Sequence, residues 1–272
     1  MAGVASAMLE GWAVATSANP RWDHTYVVSS CGLRWGCYGG STGGAILSSG
    51  SGSSIIADCL SQPNSEAGII YALTGVCHQM ANRILYPAGP ITVAGCRGYA
   101  LSAFLFGAYG LGVWSGLSRC LPGGTVIAST RYANQQPQGT NMTNKRAYGD
   151  AVAKLQGGTA SEQVIRRREL AALAELGLGH ALEAPKLAEL ARIQAELRRT
   201  QQRLKGRFDD GHLTAPDYLK LLNAALARSM DRSIGLLGVA AFDAIFGDTG
   251  KDPEGLIDAE MFFKKTDTAR PQ

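Results

Sequence analysis

Apolar residues recur at mixed spacings in the first half of the chain and at helical spacing in the second. Val4, Met8, Leu9, Trp12 and Ala15 fall at helical spacing, with Val14 off that face. They predict a helix or a loose arm over residues 1 to about 20, ending before Asn19-Pro20 because a proline disfavours helical backbone at the residue before it. Asp23 to Ser30, centred on Tyr26-Val27-Val28, predicts a short strand with His24 at its start. Cys31 to Gly40 predicts a hairpin-like turn and a second strand. The Gly/Ser tract from Gly39 to Ser54 predicts a flexible loop near a site, its glycines permitting close approach of a substrate backbone. Ala45-Ile46-Leu47 is a candidate short strand within it.

Ser54 to Leu60 predicts a short helix, ended by the turn Ser61-Gln62-Pro63-Asn64-Ser65. The apolar run Ala67 to Leu73 leads through Thr74-Gly75 into a helix that opens at Cys77. Val76, Met80, Ile84 and Leu85 give that helix a buried side, and Tyr86-Pro87-Ala88-Gly89-Pro90 stops it. Ile91-Thr92-Val93-Ala94 predicts a strand, and Tyr99 to Trp114 a glycine-rich core segment, helical or loop-rich. Leu121-Pro122-Gly123-Gly124 predicts a turn, and the polar, uncharged stretch Asn134 to Asn144 a mobile loop.

Beyond residue 150 the pattern is helical. One helix starts at Ser161-Glu162, and a second runs from Pro185 to Lys205 with Leu187, Leu190, Ile193, Leu197 and Leu204 on one face. A third opens on Thr214-Ala215-Pro216-Asp217, a capping box with Asp in place of Glu, and buries Tyr218, Leu222, Ala225 and Leu226. Leu236 to Phe246 predicts the last helix, stopped at Gly247, and the residues from Asp248 a polar tail. Pro253 stands where a calcium-binding loop built from Asp248, Gly250, Asp252 and Glu254 needs glycine, so that site is rejected.

Composition sharpens the boundary. Of the 34 glycines 23 fall in residues 1–150, as do all six cysteines, whereas 35 of the charged residues follow and only 13 precede. The chain therefore divides into a glycine- and cysteine-rich α+β domain, residues 1–150, and a helical domain or cover with a polar tail, residues 151–272. A net charge of +4 argues against a dedicated nucleic-acid binder. The arginine clusters at 166–168 and 198–199 alternate with Glu162, Glu169, Glu175, Glu189 and Glu196, as on a solvated helix face, while docking of an acidic partner is the sharper alternative. No apolar run reaches the ~20 residues that span a bilayer, and the first twenty residues lack a signal peptide's basic region. A cytoplasmic location without a membrane is expected, with signal-independent export left open. The cysteines show no C-x-x-C pair, so metal is not expected, and most should be buried free thiols. The Gly/Ser tract has no lysine and no phosphate-loop spacing, so no nucleotide or other cofactor is expected.

Cysteine chemistry is the function the sequence supports. A cysteine in the first turn of a helix meets unpaired N–H groups and the positive end of the helix dipole, which favour thiolate and can receive an oxyanion. His78 follows Cys77 directly and is turned about 100° from it on a helix. His24 comes from a separate element, so Cys77 and His24 form the expected pair. Cys37, flanked by Gly36 and Gly39, is the rival nucleophile. The third group that fixes the histidine is open among Asp58, Ser41 and Asn82, and Tyr26 and Gln79 are candidate oxyanion or substrate contacts.

A histidine-bearing strand (His24-Thr25-Tyr26-Val27-Val28) followed by a cysteine opening a helix (Gly75-Val76-Cys77-His78-Gln79) resembles the circularly permuted papain-like enzymes. These include permuted NlpC/P60 hydrolases and the lecithin:retinol acyltransferase-like group, whose Asn-Cys-Glu-His signature this chain replaces with Val76-Cys77-His78-Gln79. The resemblance implies a small antiparallel sheet packed on the cysteine-bearing helix, followed here by the helical region. It also implies metal-free acyl transfer by a thiol protease, other hydrolase or acyltransferase, on an amide, peptide or thioester substrate. The alternative is a non-catalytic interaction or structural module that docks a protein partner or self-associates through helices 160–247.

Overall fold

The computed structural model describes residues 6–16, 21–37, 41–61, 67–89, 91–111, 145, 147–152 and 162–269. The predicted turn at 121–124, the loop at 134–144, the core segment past residue 111 and most of the turn at 61–65 lie outside them.

The fold is α+β. Four antiparallel strands, β1 (Ser6–Ala15), β2 (Asp23–Ser29), β3 (Arg34–Gly36) and β4 (Ala45–Ser53), form one sheet in the order β3-β2-β1-β4. The first of them corrects the helix or arm expected over residues 1–20. Along β1 Ala7, Leu9, Gly11 and Ala13 alternate inward, a period of two. Three of those four residues are small, so the inward face carries too little apolar bulk to be read against Met8, Trp12 and Val14 on the other.

Residues 45–53 of the Gly/Ser tract are likewise a strand rather than a flexible loop. An added Cβ at Gly50 would stand 2.7 Å from the carbonyl oxygen of Ala88, and one at Gly52 would stand 2.9 Å from the Ala88 nitrogen. The close approach these glycines permit is to the chain's own 3-10 turn, Tyr86–Ala88. Nor do residues 91–94 form a strand. Ala94 makes an isolated bridge to Cys96, and the Val93 N–H that a ladder would use donates to Asn82 Oδ1 at 2.9 Å.

Helix α1 (Ser54–Ser61) follows the sheet directly, α2 (Cys77–Leu85) packs on β2, and α3 (Tyr99–Phe106) packs on α2. Every residue of α2 is buried. Residues 147–152 are helical, and beyond them lie α4 (Glu162–Leu178), α5 (Ala184–Asp209), α6 (Ala215–Leu237), α7 (Val239–Lys251, kinked at Gly247) and α8 (Ala259–Ala269). Leu190, Ile193, Leu197 and Leu204 of α5 and Tyr218, Leu222, Ala225 and Leu226 of α6 are buried, as their spacing predicts. Thr214 caps α6 by accepting the Asp217 N–H at 3.2 Å, while the Asp217 carboxylate takes the Thr214 hydroxyl. The polar tail is corrected to a 3-10 turn (Pro253–Leu256) and α8, in which Phe262 is fully buried against Tyr218 and Phe208.

One contiguous core joins the sheet side to the later helices. Gln194 and Arg198 of α5 donate to the Phe104 carbonyl in the last turn of α3, where a cation and unpaired carbonyls attract. Gln201 donates to the Leu73 carbonyl at 2.7 Å and Tyr218 to the Ala72 carbonyl at 3.2 Å, so α5 and α6 clamp the segment that leads into Cys77.

Candidate functional site

The placement of Cys77 starts with a tight turn. Thr74 Oγ1 accepts the Ile70 N–H at 2.8 Å, and the Ala72 N–H donates to the Gly75 carbonyl at 2.9 Å. The chain leaves this turn extended at Val76, the helix N-cap, so Cys77 is the first residue of α2. Gln79 Oε1 accepts the Val76 N–H at 3.1 Å, the return half of a capping box.

Cys77 lies on the wall of a small cavity of about 30 Å³, room for a water molecule. Trp22, Asp23 and His24 at the start of β2 form one side, and Tyr71, Val76 and His78 stand with Cys77 on another. Gly255, Leu256 and Asp258 from the turn before α8 complete it. The structure thus brings Cys77 and His24 to one cavity. Strand alternation gives His24 the sheet face of Tyr26 and Trp12, with which its ring continues a stack (His24–Tyr26 centroids 6.3 Å apart, Trp12–Tyr26 6.1 Å). Thr25, on the other face, is the β2 residue whose backbone and hydroxyl meet the Cys77 thiol.

The electrostatics differ from the sequence expectation of an acidic thiol. Burial pushes the Cys77 thiol up, although the Thr25 contacts and the N–H groups of His78 and Cys77 itself pull the other way. Burial, reinforced by the charge of His78, brings His24 down to about 3. Desolvation outweighs the helix terminus here, and the resting pair is a neutral thiol with a neutral imidazole.

His78 is fully engaged. Its Nδ1 is 2.7 Å from Ser102 Oγ and its Nε2 is 3.2 Å from the Asp23 carbonyl oxygen. Burial brings its pKa down to about 4, so the ring is neutral. A carbonyl only accepts, so Nε2 carries the proton, and the Ser102 hydroxyl, also 2.8 Å from the Tyr99 carbonyl, has a single proton to divide between that carbonyl and Nδ1.

The remaining sequence candidates are placed apart from the cavity. Gln79 Nε2 donates to Ser102 Oγ at 3.2 Å and the Gly107 carbonyl at 3.0 Å. Asn82 accepts from the Val93 N–H and donates to the Tyr99 hydroxyl and, at 2.7 Å, to the Ala108 carbonyl. Tyr26 donates to the Gly43 carbonyl at 2.5 Å. Asp58 accepts from Trp35 Nε1 at 3.3 Å, and the Ser41 carbonyl accepts from Arg34. Cys37 is buried, its thiol pushed well up by burial and by the charge of nearby Cys77. Cys31, Cys37, Cys77 and Cys96 are free, and Cys59 is disulfide-bonded, a departure from the free thiols expected of a reducing compartment.

Sequence reasoning missed Trp22, Tyr71, Leu256 and Asp258 as cavity residues. Trp22 stands beside the predicted strand but carries no motif, and the residues from 255 to 258 are remote in sequence from Cys77 and were read as tail. Comparison with family models, with curated proteins and with solved structures finds no match. No helix among the described residues is long and apolar enough to cross a membrane.

Proposed function

We propose that the protein is a cysteine-dependent hydrolase or acyltransferase of circularly permuted papain-like type, cleaving an amide, peptide or thioester bond through an acyl-enzyme on Cys77. The observation that carries this reading is the shared cavity: a free cysteine opening a helix, with His24 lining the same cavity. His78 is committed to Ser102 and Asp23, so the base in this reading is His24, whose ring must turn from the Tyr26 face of the sheet toward Cys77 to take the proton. With both groups neutral at rest, His24 takes the thiol proton as Sγ attacks the carbonyl carbon. The carbonyl π pair moves onto oxygen, facing the Cys77 N–H. On collapse the bond to the leaving group breaks, and the leaving group receives the proton from His24. Water or an amine then attacks the thioester and restores the Cys77 thiol.

Labelling with iodoacetamide and turnover of a small thioester test this. Cys77→Ala is expected to abolish turnover and the label mapped to position 77 by peptide mass spectrometry, with exposed Cys31 still labelled, and Cys37→Ala to spare both. Full activity in Cys77→Ala together with its loss in Cys37→Ala overturns the assignment.

The tight closure of the cavity and the raised Cys77 thiol favour a second reading, a non-catalytic module in which α4 to α7 dock a partner or a second copy. Thiol reactivity separates the two. Cys77 itself alkylated and acylated, located by peptide mass spectrometry, belongs to the enzyme, and a Cys77 inert to both while exposed Cys31 reacts belongs to the module.

A further inference from the structure

The acyl-transfer reading requires a second donor to the oxyanion beside the Cys77 N–H, and the donors named from sequence are spent. Gln79 gives its amide hydrogens to Ser102 and Gly107, and Tyr26 gives its hydroxyl to Gly43. His78 gives its Nε2 proton to Asp23. Trp22 differs from all three. It lines the Cys77 cavity, is 4% exposed, and its indole Nε1 is buried with no hydrogen-bond partner among the described residues.

The benzo edge of that ring, Cε3 and Cζ3, lies over the backbone of Gly98, close enough to exclude any Cβ there. The Nε1–H is on the opposite long edge. A buried donor left unpaired is costly, so its retention in a residue that lines the cavity calls for an acceptor that enters there. A cavity of about 30 Å³ admits an atom of that size, a water oxygen at rest or a carbonyl oxygen in its place.

We propose that Trp22 is a catalytic residue, its Nε1–H donating to the carbonyl oxygen of the bond that Cys77 attacks, so that the cavity is the carbonyl subsite of an ester, thioester or amide substrate. This rests on the acyl-transfer reading. As Sγ bonds to the carbonyl carbon, the thiol proton passes to His24 and the π pair to the oxygen, which Trp22 Nε1–H and Cys77 N–H hold. The pair returns as the bond to the leaving group breaks, and that group departs with the proton from His24.

Two reactions of one sulfur separate the roles. Alkylation by iodoacetamide forms no oxyanion, whereas acylation by p-nitrophenyl acetate does. Trp22→Phe keeps the ring and removes the donor. It is expected to slow acylation of Cys77 on the order of 10²-fold while alkylation stays within about two-fold of the parent. Equal acylation rates in Trp22→Phe and the parent overturn the Trp22 assignment alone. Equal losses in both reactions overturn it in favour of a packing role. A parent protein alkylated at Cys77 but never acylated overturns acyl transfer and this proposal with it.

Discussion

The backbone N–H of Asp258 donates to the phenolic oxygen of Tyr71 at 3.1 Å, which fastens the turn before α8 to a wall of the Cys77 cavity. The Asp258 carboxylate meanwhile caps α8 by accepting the Met261 N–H at 2.9 Å. Leu256, 5% exposed, lines the same cavity. Access to Cys77 therefore depends on packing contributed from the far end of the chain. Tyr71→Phe removes one hydrogen bond, worth about 1 kcal/mol, and is expected to raise iodoacetamide labelling of Cys77 roughly five-fold. Leu256→Ala should raise it further and lower the melting temperature, since truncating a buried leucine costs about 2–5 kcal/mol. Unchanged labelling in both variants would show that reagents reach the sulfur by another route.

Acid is expected to unfold this protein through its buried histidines. Burial holds His24 at about 3 and His78 at about 4, against 6.5 for an unperturbed histidine. Between those limits the unfolded chain binds protons that the folded chain refuses. The stability they contribute is complete above about pH 6.5 and is lost progressively as pH falls toward 4 and then 3. Urea unfolding at pH 7 and pH 5 should give a clearly lower midpoint at pH 5, with the difference reduced in His24→Gln. A midpoint that does not move between the two pH values removes the histidines from the account.

The sequence made legible those features that depend on residues close together in it. The helical spacing of Val76, Met80 and Ile84 and the Tyr86-Pro87 stop, both local signals, put Cys77 at the start of α2, although that helix is buried all round rather than on one side. Leu190 to Leu204 and Tyr218 to Leu226 defined α5 and α6 for the same reason. β1 was missed, and β4 was read only at Ala45-Ile46-Leu47, because most inward positions of the two strands are Ala, Gly and Ser, which pack closely without apolar bulk. Phe262 was missed because two aromatic residues followed by Lys264 and Lys265 make a weak helical pattern until Tyr218 and Phe208 supply the partners. At the site, Cys77 and His24 could be named. Burial, which sets the protonation of both, depends on Trp22, Tyr71 and Leu256 meeting across the fold.

Asn82 is expected to act on stability rather than on chemistry. Its side chain satisfies the Val93 N–H at 2.9 Å, the Ala108 carbonyl at 2.7 Å and the Tyr99 hydroxyl at 3.0 Å, all out of water. Asn82→Ala strands those groups and should cost roughly 3 kcal/mol in urea unfolding. Iodoacetamide labelling of Cys77 per folded molecule should stay near the parent value. A stable variant whose labelling is lost would instead place Asn82 in the reaction.

Two glycine substitutions are expected to have opposite signs. At Gly52 a Cβ would press on the Ala88 Cα and nitrogen, both at 2.9 Å, and those are backbone atoms of a turn stiffened by Pro87. They have no rotamer through which to give way, so β4 or the turn must shift. Gly52→Ala should therefore destabilise by roughly 1–3 kcal/mol, the usual cost of overpacking. Gly206 lies exposed within α5 with nothing within 4 Å of its Cβ position. There alanine replaces the poorer helix former without a clash, and Gly206→Ala should stabilise by about 0.5–1 kcal/mol. Calorimetric melting of the two variants beside the parent checks both. A neutral Gly52→Ala would mean that the 3-10 turn does not bear on β4 in solution, and the strand's glycines would then need another explanation.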